Sequence, residues 1–319
     1  MTTARRTIPT IRHRTVDVDG VGVAYRESGP ADGPVLLLLH GFPTASHQFA
    51  RLMDALGGTP YRLIAPDYPG FGRTETPAGF TYTFDRLADI VEGFTEALGL
   101  DRFALYVFDF GAPVGLRLAT RRPERVTGLI VQNGNAYEEG LSDAALEFAG
   151  LRREVPGNEE RVRGLFTPEG TRFQYETGVA DPDLLSPDSW TLDLHHLGLP
   201  GRADAQADLA FDYASNFAHY PVWQGWLRSA RIPVLVVWGA GDPFFTPAGA
   251  KAYLRDAPDA EVHIFEGAGH FALETHLPQI APLIEEFLSG QGEQGSGVRS
   301  RTESVTVPQD RLADAPSKE

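Results

Sequence analysis

Short apolar runs alternate with amphipathic stretches along most of this 319-residue chain, and that alternation constrains the fold more than any compositional figure. The runs lie at 35–39, 61–66, 105–108, 126–132, 233–237 and 262–265, with helix-period segments at 46–56, 83–98 and 112–122 between the first four. Strands that reach one another through helices run parallel, so the pattern predicts an α/β fold: a mostly parallel sheet flanked by crossover helices. Ahead of it, 14–18 and 21–26 read as an antiparallel hairpin turning on Asp19-Gly20. From 135 to 228 the strand pattern vanishes and helical segments bearing Trp and Tyr replace it, which predicts a helical cap inserted into the sheet domain. The expected domains are therefore a discontinuous core, 1–134 and 229–290, and a cap, 135–228. The polar stretch 291–319 lacks apolar periodicity and is expected to be a disordered tail.

The chemistry lies in the residues just after the apolar runs. The run at 105–108 ends in Asp109-Phe110-Gly111-Ala112-Pro113-Val114-Gly115, a carboxylate entering a glycine-marked helix start. A serine at such an elbow would suggest ester hydrolysis, whereas a carboxylate can attack an sp³ carbon bearing a leaving group and become an alkyl ester itself. Asp also caps helices, and capping is its commoner use at a helix start. Its companions favour the chemical reading. His40-Gly41-Phe42-Pro43 follows the run 35–39, Trp238-Gly239-Ala240-Gly241-Asp242-Pro243 follows 233–237, and Gly267-Ala268-Gly269-His270 follows 262–265. Each stands at a carboxyl end of a strand, the edge on which open α/β sheets build their sites. In chain order these supply nucleophile Asp109, acid Asp242 and histidine His270.

On these motifs the chain resembles the aspartate-nucleophile branch of the α/β-hydrolase superfamily, which contains epoxide hydrolases and haloalkane dehalogenases, over roughly residues 15 to 290. The resemblance implies a covalent alkyl ester on Asp109 and an oxyanion hole from the backbone N–H groups of Phe42 and Phe110. It further implies a water activated by His270, whose ring Asp242 orients. No metal or organic cofactor is required by that route. His40 is expected to be structural; His195, His196, His219 and His276 have no motif context. Glu274, one helical turn after His270, is a weaker candidate for the acid than Asp242.

The leaving group divides the substrate readings. Within the resemblance, a halide is received by N–H donors, typically a Trp after the nucleophile, and an epoxide oxygen by cap tyrosines. Phe110 and Phe42 carry no side-chain N–H, and Arg117 lies too far along its helix to read as a carboxylate clamp. Tyr213, with Tyr175 as the nearest candidate for a first cap tyrosine, could donate to an opening oxygen; packing is the default use of any cap aromatic. These features favour epoxide opening to a vicinal diol, with hydrolytic dehalogenation of a haloalkane or haloacid as the alternative. A small-ligand receptor or non-hydrolytic catalyst on the same fold is a third reading.

Composition narrows the partners. A formal charge of −15 argues against nucleic acid or an anionic membrane, both of which call for basic patches. The absence of cysteine removes disulfides and thiolate chemistry. No signal-type segment and no run of about eighteen apolar residues occurs, so a cytoplasmic enzyme acting on a small molecule is expected. A homodimer is left open.

Overall fold

A computed structural model describes residues 9–294. Eight strands form one sheet: β1 (Arg12–Val18), β2 (Val21–Ser28), β3 (Val35–Leu39), β4 (Arg62–Pro66), β5 (Phe103–Phe108), β6 (Val126–Gln132), β7 (Val234–Gly239) and β8 (Glu261–Phe265). Their order is β1-β2-β4-β3-β5-β6-β7-β8. β1 and β2 pair antiparallel, β2 meets β4 antiparallel, and every pairing from β4 to β8 is parallel. The hairpin turn falls on Asp19 and Gly20, both at positive φ.

Helices cover both faces. In the core they are α1 (Ala50–Ala55), α2 (Phe84–Ala97) and α3 (Gly111–Arg121). The inserted region holds α4 (Asp143–Ala149), α5 (Asn158–Gly164), α6 (Pro168–Glu176), α7 (Pro187–Leu197), α8 (Arg202–Asp212) and α9 (Tyr220–Ala230); α10 (Pro247–Asp256) and α11 (Ala272–Gln294) return to the core. Side chains alternate between the two layers as the strand period requires. Leu37, Leu39, Leu105 and Val107 pack with α2 and α3, whereas Leu36, Leu38, Tyr106 and Phe108 pack with α1 and α11.

Local chemistry sets several boundaries. Thr83 precedes α2 in extended conformation and its hydroxyl accepts from the Arg86 N–H at 3.2 Å, a cap of about 1 kcal/mol. The expected helix 46–56 is two pieces, a 3₁₀ turn at Ser46–Phe49 and then α1. Within α11, the chain departs from helical geometry at His276, two residues before Pro278, which restricts the turn that precedes it. The helix extends through Gln294, four residues into the stretch expected to be tail; the remainder of that stretch, and residues 1–8, lie outside the described residues. Among the described residues no helix is long and apolar enough to cross a membrane.

Candidate active site

Asp109 occupies the turn between β5 and α3 at φ +50°, a left-handed conformation that a non-glycine residue keeps only where its surroundings enforce it. It does not cap α3, whose start has no side-chain cap bond. Its Oδ1 instead accepts from the Phe42 N–H at 2.6 Å. Two glycines permit the close approach: a Cβ on Gly41 would collide with the Asp109 side chain, and one on Gly111 with the Leu39 carbonyl.

His270, after β8, places Nε2 3.8 Å from Asp109 Oδ2 and Nδ1 2.7 Å from Asp242 Oδ2. An ionised carboxylate only accepts, so Nδ1 carries the proton and Nε2 of the neutral ring is bare toward Asp109. Asp242 is itself fully held. Its Oδ1 accepts from the N–H groups of Phe244 and Phe245 at 2.8 and 3.1 Å, and its Oδ2 from Asn133 Nδ2 at 2.7 Å.

Burial dominates the electrostatics. Removal from water pushes Asp109 up to about 6, against the pull of His270 and of the Phe42 and Phe110 N–H groups. Burial is the largest influence on His270 and would lower it, but the charge and hydrogen bond of Asp242 together with the charge of Asp109 outweigh it and the net shift is upward. His40 is pushed down to about 4 by burial and stays neutral. The Tyr68 N–H donates to its Nε2 at 3.1 Å, so Nδ1 is the nitrogen that donates to the Gly41 carbonyl at 2.9 Å. That pair of bonds fixes the loop presenting Phe42.

Above Asp109 and His270 lies a pocket with about 580 Å³ of empty space including its mouth. Its walls are mainly aromatic and aliphatic, among them Phe42, Phe110, Phe166, Phe244 and Phe245. Among the described residues Tyr213 supplies the one hydroxyl on its lining; burial holds that phenol well above its ordinary range. Tyr213 also bonds Tyr220, whose hydroxyl accepts from Asn135 Nδ2 at 3.1 Å. Gln174 reaches the lining too, but its Nε2 is spent on the Leu165 and Gly170 carbonyls at 3.2 and 3.3 Å.

Tyr175 does not join the site. It is one residue out of register with Gln174 on α6 and points away from the pocket: its hydroxyl donates to Asp193 Oδ2 at 2.6 Å and its ring stacks on Phe271 at 3.9 Å. Arg117 also faces elsewhere, pairing with Asp85 and Asn216 at 2.6 Å each beneath α9. Glu274 bonds Ser189 at 2.9 Å and not His270. Trp190 packs on Tyr175, and Trp223 and Trp226 belong to the apolar core. Asn133, at φ +41° just after β6, belongs to none of the sequence motifs, although an Asn closing an apolar strand is a legible signal. Among the described residues no group of three or more metal-ligating side chains converges.

The α/β hydrolase fold family matches residues 34–277. The chain is 44% identical over 280 residues to an uncharacterized hydrolase of Saccharomyces cerevisiae, covering 85% of this chain and 95% of the relative. It is 38% identical over 267 residues to a haloalkane dehalogenase of Mycolicibacterium paratuberculosis, covering 82% and 85% respectively. Among solved structures, an epoxide hydrolase from Vigna radiata superposes with a TM-score of 0.71 at 24% identity, covering 88% and 98%. This chain belongs to the α/β-hydrolase family. Within it, the chain is related in sequence to a haloalkane dehalogenase and shares its fold with an epoxide hydrolase, and its own site sets Asp109, His270 and Asp242 in a triad-like arrangement.

Proposed function

We propose that the protein hydrolyses a small apolar alkyl substrate through a covalent ester on Asp109, with an organohalide as the leading substrate class. The observation that carries the mechanism is the Asp109 carboxylate, strained at the elbow, with Oδ1 held by the Phe42 N–H and Oδ2 toward His270. Oδ2 attacks the carbon bearing the halogen, the C–O bond forms as the carbon–halogen bond breaks, and halide leaves. Water then adds to the Asp109 carbonyl carbon while His270 Nε2 takes its proton. The Phe42 and Phe110 N–H groups receive the developing oxyanion. Collapse expels the alkoxide, which takes the first proton back from His270 and leaves as the alcohol; the second water proton, left on the Asp109 carboxyl, passes through His270 to solvent and restores the carboxylate. Asp242 keeps the ring in the tautomer this needs and stabilises its cation.

The halide reading is supported by a relative 38% identical that bears the name haloalkane dehalogenase. Tyr213 is then the donor at hand, since of Trp190, His195, His196 and Tyr213 only Tyr213 lines the pocket. The second reading, epoxide opening, is favoured by that same hydroxyl. Phenylalanine at 42 and 110 offers a halide no side-chain N–H, whereas a phenol can both bond and protonate an opening oxygen. A panel of bromoalkanes, chloroalkanes and small epoxides, assayed for halide and for vicinal diol, separates the two. Halide release supports the first reading and diol formation the second. Neither product from any substrate, with Asp109 unmodified, would refute both.

A further inference from the structure

Away from the catalytic pocket there is a second cleft, of about 580 Å³, where β1 and β2 meet the loops after β3 and β4 and the cap helix α7. Its lining departs from the composition of the chain. Acidic residues outnumber basic ones overall, 43 to 28, yet here Arg14, Arg26, Arg73 and three histidines face Asp67 alone.

That carboxylate is already committed to backbone. Asp67 Oδ1 accepts from the Ser46 N–H at 2.8 Å and Oδ2 from the Arg73 N–H at 2.9 Å, which joins the two loops without pairing either guanidinium. Arg14 is neutralised by Glu27 at 2.8 Å. Arg26 is half-buried and makes no ion pair among the described residues; it donates from Nε to Ser46 Oγ at 3.1 Å and sets Nη1 3.4 Å from His13 Nδ1. The exposed Arg73 guanidinium has no hydrogen bond or ion pair there. Leaving a cation partly desolvated with no carboxylate at ion-pair distance is costly. The neighbours register it: burial and then the charges of Arg26 and Arg73 push His13 down against the pull of Asp67, and burial lowers Arg26, with the Arg73 charge adding to that and Asp67 opposing it.

The geometry points to a binding site for a small oxyanion, a phosphate or carboxylate group, held between the guanidinium groups of Arg26 and Arg73, with His13 and His196 at its rim. The free Arg73 fork matches the paired oxygens of such a group, and Arg26, with Nε on Ser46 and Nη1 toward His13, adds its remaining donors. His196, kept neutral to about pH 4 chiefly by burial, adds an uncharged N–H. Because Leu192 and His196 come from the cap and both arginines from the core, an anion here braces one against the other and stabilises the folded chain by mass action.

Thermal unfolding of the full chain tests this. Inorganic phosphate, or separately acetate, replaces chloride at constant ionic strength. Phosphate is expected to raise Tm by about 2–4 °C at roughly 10 to 100 times its dissociation constant, and the shift should go on rising with the logarithm of concentration. Arg73→Ala, at an exposed position outside the catalytic pocket, and Arg26→Gln should each raise the concentration needed for a given shift tenfold or more. A variant-sensitive shift with acetate would identify a carboxylate as the bound group; one with phosphate alone, a phosphate. No shift at constant ionic strength, or a shift identical in the parent and Arg73→Ala, would overturn the assignment by showing only a general salt effect.

Discussion

Replacing the Asp109 carboxylate by an amide should make the protein more stable while abolishing its chemistry. Lifting the carboxyl from its ordinary 3.8 to about 6 by burial costs the folded state about 3 kcal/mol once the group is ionised, at roughly 1.4 kcal/mol per pH unit. The sign comes from proton uptake. Between pH 3.8 and about 6 the folded chain keeps a proton that the unfolded chain has released. The penalty is therefore absent below that window, grows through it and is complete above it. Asparagine has the same shape and no charge; its Oδ1 still accepts from the Phe42 N–H, and its Nδ2 faces the bare Nε2 of His270. Asp109→Asn should gain about 1–3 kcal/mol at pH 8, toward the lower end where the amide packs imperfectly. Urea unfolding from pH 4 to 8, with the side chain verified by mass, measures the difference. A parent protein as stable as the variant at pH 8, or a difference that does not change with pH, would refute the account of how Asp109 is held.

His270→Gln should leave alkylation intact and accumulate a protein adduct of substrate mass, read by mass spectrometry; turnover at the parental rate would remove His270 as the base. In single-turnover kinetics the alkylation step should fade as pH falls through about 6, because only ionised Asp109 attacks. Asn133→Ala strips a bond from buried Asp242 and from the Gly239 backbone, and should cost about 1–3 kcal/mol in denaturant unfolding and slow ester hydrolysis more than ester formation. Tyr213→Phe should slow the step that expels the leaving group by roughly 10²-fold. Tyr175→Phe should leave that step unchanged and lose only the stability of its bond to Asp193.

Most of this site is readable in the sequence because its parts obey strong local rules. A carboxylate after an apolar run, then Gly111, Ala112 and Gly115, announces an elbow, and His270 and Asp242 each follow a strand, so the parallel sheet brings them to one edge without further information. The cap obeys weaker rules. On an amphipathic helix a shift of one residue turns a side chain by about 100°, and that is the whole difference between Gln174 in the pocket and Tyr175 stacked on Phe271. The role of Asn133 depends on β6 and β7 lying side by side, a tertiary fact with no mark in the sequence beyond a polar residue at a strand end. The unpaired arginines of the second cleft are likewise invisible until β2 and the loop after β4 are folded together.

The central claim is that Asp109 becomes an ester and is itself hydrolysed. One turnover in oxygen-18 water, with enzyme in excess over a substrate shown to react, tests it directly by mass analysis of the Asp109 peptide and the product alcohol. The label should enter the Asp109 carboxylate first and reach product only in later turnovers. Label appearing in the product of the first turnover, with Asp109 unlabelled, would mean that water attacks the substrate directly and that Asp109 is not the nucleophile.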